Sequence, residues 1–343
     1  MSARKPSRTV PGELALIETI RRQARSGLAA SRAVRLGIGD DCAVLRPKPG
    51  NEICVTTDFT LENRHFRRAW HPAESVGHRC LARGLSDLAA MGAEPMAVFL
   101  SLAVPARLPA AWVERFLQGF LALARKHRVP LAGGDTAESP TVANREGLIL
   151  ADIVAVGQIP AGQALLRSGA RAGDRIYVTG ALGGAAAELA ELAKHPARFR
   201  QFVRAEPGHP HLYPEPRLAL GRRLRGLASA AIDLSDGLST DLAHLLEASG
   251  LSCVIEETAL PIHPLTGKRK NPLALALHGG EDYELLFTVP PGVRIPRILA
   301  GVPVCEIGVM RRSARRTSRI MLQTTEHTRV PVEPGGWEHF RTR

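Results

Sequence analysis

The chain has 343 residues, of which 45% are hydrophobic and 4% aromatic, and its formal net charge is +12. This length predicts two domains, with cores packed mainly by Ala, Leu and Val. No apolar run approaches the roughly 20 residues that span a bilayer, so a membrane protein is not expected. The five cysteines are scattered and lack a C-x-x-C pair, which argues against a disulfide framework or a zinc site and favours the cytoplasm.

The positive charge leaves open a second class of function, a basic nucleic-acid-binding protein. A basic run occupies residues 311–319, but the arginines are spread along the whole chain and no aromatic residue interleaves with that run. No nucleic-acid-binding signature is present either. A solvated basic surface, which also attracts a polyanionic small substrate, is the better explanation of the charge.

The first half of the chain predicts alternating helices and strands. Residues 1–11 are basic and no apolar stretch follows them, which predicts a flexible arm and no signal peptide. Helices are predicted at residues 13–27, 72–92 and 110–127, strands at residues 52–58, 97–104 and 148–157, and a short apolar run at residues 129–136 that ends in Gly-Gly-Asp-Thr.

A domain boundary is predicted near residues 160–162, which gives an N-terminal domain of residues 1–160 and a C-terminal domain of residues 161–343. Residues 194–216 are rich in His, Pro and Arg and predict an exposed, partly irregular connection. Strands are predicted at residues 174–180, 230–232 and 253–257, and a Gly-rich turn that feeds another strand is predicted at residues 279–289. Helices are predicted from residue 182, at residues 217–225 and from residue 238. Mixed helices and strands in both halves predict α/β and α+β units.

Acidic residues recur at the ends of these apolar runs. They are Asp40, Asp41, Asp58, Asp135, Asp233, Asp236, Glu281 and Asp282. A single Asp after a strand is ordinarily a turn former or a helix cap, whereas Asp87 lies inside an apolar helical pattern, where an unpaired charge is costly. If the acids converge, cations must offset their repulsion, and carboxylates and hydroxyls without His or Cys are ligands that suit Mg²⁺.

Magnesium ligation in turn indicates a phosphate-handling enzyme, because protein-bound Mg²⁺ commonly completes its shell with substrate phosphates. The Walker A, G-x-G-x-x-G, protein-kinase and G-x-S-x-G patterns are absent from the sequence. We therefore expect the chain to hold phosphates with metal ions, paired-glycine turns and an occasional arginine. Positioning and charge neutralisation of this kind suffice for in-line phosphoryl transfer.

Nine short motifs then occur in order between Gly37 and Leu285, and the likeness that they carry covers roughly residues 12–340. They are Gly37-Ile-Gly-Asp-Asp-Cys-Ala, Thr56-Thr-Asp, His65-Phe, Leu85-Ser-Asp-Leu-Ala-Ala-Met-Gly, Gly133-Gly-Asp-Thr, Arg167-Ser-Gly-Ala, Gly173-Asp-Arg-Ile-Tyr-Val-Thr-Gly, Ile232-Asp-Leu-Ser-Asp-Gly-Leu and Gly280-Glu-Asp-Tyr-Glu-Leu. In this order they resemble the thiamine-monophosphate kinase family, which shares a superfamily with aminoimidazole ribonucleotide synthetase and selenophosphate synthetase. The resemblance implies an N-terminal α/β domain with a mixed sheet that dimerises, and a C-terminal α+β domain that completes the active site.

The resemblance also implies roles for individual residues. The implied metal ligands are Asp41, Thr56, Thr57, Asp58, Asp87, Asp135, Asp233 and Asp236. The implied nucleotide contacts are Gly134, Asp135, Arg167 and Ser235, and the implied substrate contacts are His65, Glu281 and Trp337. ATP and several Mg²⁺ ions are the implied cofactors, bound between the two domains.

The implied reaction transfers the γ-phosphoryl group of ATP to thiamine monophosphate. Since the acceptor is already an ionised phosphate, no general base is required and no catalytic side chain is assigned. Three residues depart from the family pattern, namely Phe59, Arg64 and His278. Because these departures cluster on the acceptor side, a superfamily relative that uses the same ATP site on another acceptor stays open as an alternative.

Overall fold

The computed structural model describes residues 12–141, 146–313, 319–338 and 340. The arm predicted at residues 1–11 and most of the basic run at residues 311–319 lie outside this part of the chain. Among the helices of the described residues, none is both long enough and apolar enough to cross a membrane.

The helices and strands follow the alternation expected from the sequence. The helices are α1 (Glu13–Ala30), α2 (Ala73–Ala90), α3 (Ala110–Lys126), α4 (Gly184–Lys194), α5 (Pro196–Phe199), α6 (Leu218–Leu224), α7 (Leu238–Ser249) and α8 (Pro272–His278). The strands are β1 (Val34–Leu36), β2 (Val44–Leu45), β3 (Asn51–Leu61), β4 (Glu94–Val104), β5 (Leu131–Glu138), β6 (Leu150–Pro160), β7 (Arg175–Thr179), β8 (Ala230–Asp233), β9 (Leu251–Glu256), β10 (Leu285–Val289), β11 (Ile298–Leu299), β12 (Val302–Arg312), β13 (Ile320–Gln323) and β14 (Arg329–Val332).

The chain divides into two compact units. The first takes its described residues from Met1–Gly84, Pro95–Gln158 and Leu192–Pro207, and the second takes its own from Leu85–Glu94, Ile159–Glu191 and Gly208–Arg343. Helix α2 is thus shared, because its residues up to Gly84 belong to the first unit and those from Leu85 belong to the second.

Within the described residues, the first unit has a four-stranded sheet in the order β3-β6-β4-β5. Strands β4 and β5 are parallel, and their register sets Leu100 opposite Gly134 and Ser101 opposite Asp135. The rings of Trp112 and Phe116 stack with their centroids 5.6 Å apart on α3, which adds ring–ring contact to a core otherwise poor in aromatic residues.

The second unit has a larger sheet, whose described strands run in the order β14-β13-β9-β12-β7-β10-β8, with β11 paired to β12. Helix α7 packs against β8 and β9 and beside α8. Its buried face presents Leu238, Leu242, Leu245 and Leu246, at the i, i+4, i+7, i+8 spacing of one helical face. This packing fixes the loop between β8 and α7, where Ser235 and Asp236 lie.

One prediction from composition is partly wrong. Residues 194–216 were expected to be exposed, which holds for most of residues 194–208 and fails for the end of the segment, where His211, Leu212 and Tyr213 are buried. The cause is a carboxylate from α4: Oε2 of Glu188 accepts the backbone N–H groups of His211, at 2.7 Å, and of Leu212, at 3.2 Å. Satisfying these donors lets a His- and Pro-rich segment lie in the interior.

Candidate active site

A cavity of about 700 Å³ in the first unit gathers three of the predicted site residues. Asp41, Gly134 and Asp135 lie on its wall, together with Gly37 and Gly39. Both carboxylates are exposed to solvent, so they are accessible to a ligand. The wall therefore combines acidic oxygens with glycine-rich backbone, as expected for a site that receives a metal-bound phosphate.

Gly134 is required at its position by close backbone approach. Its φ is +149°, and a Cβ built there would lie 1.9 Å from the backbone oxygen of Leu100 on the neighbouring strand. Any side chain would therefore force β4 and β5 apart. The next residue, Asp135, accepts the backbone N–H of Thr136 at 2.9 Å.

Asp58, another predicted ligand, is held by a cation of the protein itself. Nε and Nη2 of Arg83 both donate to Oδ1 of Asp58, at 2.9 and 2.6 Å. Asp152 is on the neighbouring strand β6, and its carboxyl pKa is raised first by burial and then by the nearby charge of Asp58. Asp58 is thus one member of a compact group of two acids and one arginine.

The remaining predicted residues of the first unit lie on β3 or directly after it. Thr56 is half-buried and Thr57 is exposed. The ring of His65 turns back onto the end of the strand, where Nδ1 accepts the backbone N–H of Leu61 at 3.0 Å. The neutral tautomer that accepts at Nδ1 carries its proton on Nε2.

In the second unit, the loop after β8 concentrates negative charge. Asp233 is buried, and Oδ2 of Asp233 accepts a hydrogen bond from the Ser86 hydroxyl at 2.7 Å. Oδ2 of Asp241, in the first turn of α7, accepts the backbone N–H groups of Asp236 and Gly237, each at 3.0 Å. Burial, and then the charges of Asp233 and Asp236, raise the pKa of Asp241 to about 8.

Two predicted residues of this loop contact two predicted residues from elsewhere in the second unit. The backbone N–H of Glu281 donates to the backbone oxygen of Ser235 at 2.7 Å, and the N–H of Trp337 donates to the backbone oxygen of Asp236 at 3.0 Å. Glu281 has a φ of +68°, which is uncommon for a residue with a Cβ and is held by the bonds around it. A proposed nucleotide contact, a proposed metal ligand and two proposed acceptor contacts are therefore direct neighbours.

Two predicted residues of the second unit are less closely tied to this group. Asp87 is half-buried and follows Ser86, the residue that donates to Asp233. Arg167 is exposed, and its backbone oxygen accepts the hydroxyl of Ser249, the last residue of α7. Loop 234–237 adjoins the opposite end of that 12-residue helix, about 18 Å away.

The predicted residues therefore form separate groups within each unit. Within the part of the chain that is described, no group of three or more His, Cys, Asp or Glu side chains is arranged to hold a metal ion. The assembly of all the predicted acids into one site stays a prediction.

Sequence reasoning missed Arg83, Asp152, Asp241 and His211. Asp241 had a local signal, because an Asp in the first turn after Ser235-Asp236-Gly237 is a natural partner for free backbone N–H groups. The other three contact residues far away along the chain, so no local pattern could identify them.

Comparison with known proteins gives a consistent result over nearly the whole chain. Residues 39–159 match the AIR synthase related protein, N-terminal domain, and residues 171–320 match the AIR synthase related protein, C-terminal domain. The thiamine-monophosphate kinase of Salmonella typhimurium (strain LT2) is 37% identical over 338 residues, which cover 96% of this chain and 99% of the relative.

Solved structures agree with this match. The thiamine-monophosphate kinase of Stenotrophomonas maltophilia K279a superposes with a TM-score of 0.75 at 31% identity, over 93% of this chain and 98% of the other. A structure described as AaThiL complexed with AMPPCP and TMP superposes with a TM-score of 0.72 at 29% identity, over 96% of this chain and 97% of the other.

Proposed function

Because the chain belongs to the thiamine-monophosphate kinase family, we propose that it transfers the γ-phosphoryl group of ATP to thiamine monophosphate. The products are thiamine diphosphate and ADP. The observation that carries this proposal within the molecule is the junction of Ser235, Asp236, Glu281 and Trp337 in the second unit. It sets a proposed nucleotide contact and a proposed metal ligand beside two proposed contacts to the acceptor.

The donor set of the proposed site fits Mg²⁺. Its side chains are carboxylates and hydroxyls, the hard oxygen ligands that Mg²⁺ prefers. Burial first, and then the charges of Asp233 and Asp236, raise the pKa of Asp241, and a bound cation would relieve the repulsion among these three carboxylates. We propose Asp41, Thr56, Thr57, Asp58, Asp87, Asp135, Asp233 and Asp236 as the residues that hold Mg²⁺. When bound, Mg²⁺ neutralises negative charge on the phosphates of both substrates.

The proposed reaction is a single in-line displacement. A phosphate oxygen of thiamine monophosphate attacks the γ-phosphorus, and the bond from that phosphorus to the β,γ-bridging oxygen breaks. The electron pair of that bond leaves with ADP. The attacking oxygen is already ionised at neutral pH, so no side chain has to remove a proton and the chain contributes mainly by positioning.

The described contacts support specific positioning roles. Gly134 and Asp135 lie on the wall of the cavity, and Ser235 and Arg167 are the other proposed nucleotide contacts. Glu281 and Trp337 are held against the loop that carries Ser235 and Asp236, so an acceptor bound by them lies next to the proposed phosphate site. His65 is the third proposed acceptor contact.

The proposal is tested by product analysis with purified protein, ATP and Mg²⁺. Thiamine monophosphate should yield thiamine diphosphate and ADP in equal amounts, and free thiamine should yield no phosphorylated product. ATP consumption that leaves thiamine monophosphate unchanged would contradict the proposed acceptor and favour a related enzyme with a different acceptor.

We further propose that the chain forms a homodimer through the sheet of the first unit. Strand β3 lies at the edge of the described sheet, and its alternate residues Ile53, Val55 and Phe59 are 46%, 62% and 58% exposed. These side chains share one face of the strand, and an exposed apolar face of this kind is ordinarily covered by a partner. A second copy of the chain presents the same strand and satisfies the symmetry of a dimer.

Sedimentation equilibrium tests the dimer. The wild-type chain should sediment as a dimer, and Val55→Glu should sediment as a folded monomer. Ile298→Glu is the matched control, because Ile298 is 65% exposed on β11 in the other unit. A wild-type monomer, or a Val55→Glu dimer of unchanged affinity, would contradict the proposed interface.

We also propose a domain division at residues 160/161 and a cytoplasmic location. The division is supported by the two family matches, because the N-terminal match ends at residue 159 and the C-terminal match begins at residue 171. The location is supported by the five free cysteines, all of them among the described residues, because free thiols suit a reducing compartment.

A further inference from the structure

A short C-terminal segment, Gly335–Trp337, lies across the start of helix α7. We name it the C-terminal strap. Its three consecutive backbone N–H groups donate to Oγ of Ser239 at 3.2 Å, to Oγ1 of Thr240 at 3.1 Å and to the backbone oxygen of Asp236 at 3.0 Å. Every donor of the strap therefore has a partner on the segment that joins loop 234–237 to α7.

His278 contacts the acceptor of the first of these hydrogen bonds. Oγ of Ser239 lies 2.8 Å from Nδ1 of His278, the last residue of α8. Burial lowers the pKa of His278 and so favours its neutral form, and the tautomer that carries its proton on Nε2 accepts the Ser239 hydroxyl proton at Nδ1. The Ser239 oxygen is then oriented to accept the N–H of Gly335.

The strap fits because it lacks side chains where it touches its neighbours. A Cβ built on Gly335 would lie 2.8 Å from Nδ1 of His278, and a Cβ built on Gly336 would lie 2.0 Å from the backbone oxygen of Asp236. The strap is thus in close contact with both the histidine ring and the loop.

The strap also determines where Trp337 lies. The backbone N–H of Trp337 is bonded to the backbone oxygen of Asp236, and its half-buried side chain follows directly from that anchor. The contact of His278 with Ser239 places the imidazole ring beside the strap at Gly335, the opposite end from Trp337 and its anchor at Asp236.

We propose that His278, acting through Ser239, is a positioning residue that fixes the C-terminal strap and so sets the place of Trp337 at the acceptor site. The part that concerns the acceptor rests on the proposed function, since that function makes Trp337 an acceptor contact. The part that concerns the strap does not, and it is tested without substrate.

The first test measures acrylamide quenching of Trp337 fluorescence in the ligand-free protein. The chain has three tryptophans, and the spectrum of Trp337→Phe in the same background isolates the contribution of Trp337. His278→Ala and Ser239→Ala should each raise the quenching constant of Trp337, and the double variant should add little, because both act through one chain of hydrogen bonds. An unchanged quenching constant in folded His278→Ala and Ser239→Ala would overturn the proposal.

The second test measures binding of thiamine monophosphate without ATP, and of AMPPCP with Mg²⁺. His278→Ala should weaken acceptor binding about tenfold, the effect of losing one well-placed hydrogen bond, and should leave AMPPCP binding unchanged. His278→Asn should restore much of the acceptor affinity, because its Oδ1 can replace Nδ1 as acceptor. Equal losses for both ligands in His278→Ala, or no rescue by His278→Asn, would overturn the acceptor role.

His244→Ala is the matched control, since His244 is an exposed histidine on α7, and it should change neither measurement. The two tests separate the two proposals. If wild-type protein fails to bind thiamine monophosphate, the proposed function fails, while greater quenching in His278→Ala still supports the strap.

Discussion

Nδ1 of His211 lies 3.1 Å from Oε2 of Glu281, and only 1% of the His211 side chain is exposed. His211 belongs to the buried segment whose backbone donates hydrogen bonds to Glu188. Glu281 belongs to the loop whose backbone is hydrogen-bonded to Ser235. The pair therefore joins the α4 region to the proposed acceptor site and supports Glu281 in its left-handed backbone conformation.

Replacing His211 should disturb both stability and acceptor binding. His211→Ala leaves the Glu281 carboxylate without this partner, which we expect to lower the free energy of unfolding by about 2 kcal/mol. It should also raise KM for thiamine monophosphate more than KM for ATP. His211→Asn, which keeps a polar side chain at this position, should lose less of both. Urea unfolding and steady-state kinetics measure these effects, and equal changes in the two KM values would contradict the positioning role of His211.

Asp236 should be needed for turnover and dispensable for folding. The hydrogen bonds that tie it to Asp241 and Trp337 use its backbone atoms, and Asp236→Asn keeps those atoms. Removing its charge also relieves repulsion with Asp241. We expect kcat to fall at least about 100-fold with no loss of thermal stability in Mg²⁺-free buffer. Glu247→Gln, on the exposed face of the same helix, is the control, and normal turnover in Asp236→Asn would remove Asp236 from the proposed site.

The ion pair between Arg83 and Asp58 should lower the affinity of the Asp58 carboxylate for Mg²⁺. Arg83 occupies Oδ1 of Asp58 and adds a positive charge, so it should oppose cation binding at this carboxylate. Arg83→Met should therefore increase the Mg²⁺-dependent rise in melting temperature, although it lowers stability without Mg²⁺ by about 1 kcal/mol. Arg22→Met, an exposed arginine on α1, should match wild type. An unchanged Mg²⁺ response in Arg83→Met would argue against Asp58 as a ligand.

Asp282 should give the protein a pH-dependent stability. Its carboxylate accepts the N–H groups of Gly183 at 2.6 Å and Ala185 at 3.1 Å, yet loss of hydration raises its pKa to about 7 from 3.8. The folded state then binds more protons than the unfolded state between these values. This group's contribution should therefore fall as pH rises from about 4 to 7, by at most about 1.4 kcal/mol per pH unit.

The Asp282 prediction is measured by chemical unfolding at several pH values. Asp282→Asn removes the titrating group. The unfolding free energy of the wild type minus that of Asp282→Asn should therefore decrease from pH 4 to pH 7. A difference that is flat or increases over this range would show that the raised pKa is wrong.

Features that depend on neighbouring residues in the chain could be predicted from the sequence, and features that depend on contacts between distant residues could not. The strand and helix around Ser235 were predictable, because the apolar run of β8 and the leucine spacing of α7 are local patterns. The order of strands in the larger sheet was not, since β12 pairs with β7 and β9 across long separations. The burial of His211 was missed because composition cannot reveal a partner such as Glu188 on another helix.

The candidate site shows the same contrast between local sequence patterns and distant contacts. The ordered motifs identified residues such as Asp41 and Asp135, which line one cavity. They gave no sign of Arg83, and they marked His278 only as a departure from the family pattern, because each acts through a residue distant in sequence. The spacing of motifs thus predicts which residues carry the chemistry, and tertiary contacts determine which residues hold them in place.

The central claim is direct transfer from ATP to the acceptor phosphate, and a single-turnover experiment with [γ-³²P]ATP tests it most directly. Enzyme in excess is mixed with labelled ATP, Mg²⁺ and thiamine monophosphate, quenched at intervals and separated into protein, thiamine diphosphate and inorganic phosphate. We predict that label enters thiamine diphosphate at the rate at which it leaves ATP, with none on the protein. Label that appears first on the protein, or only in inorganic phosphate, would contradict the account.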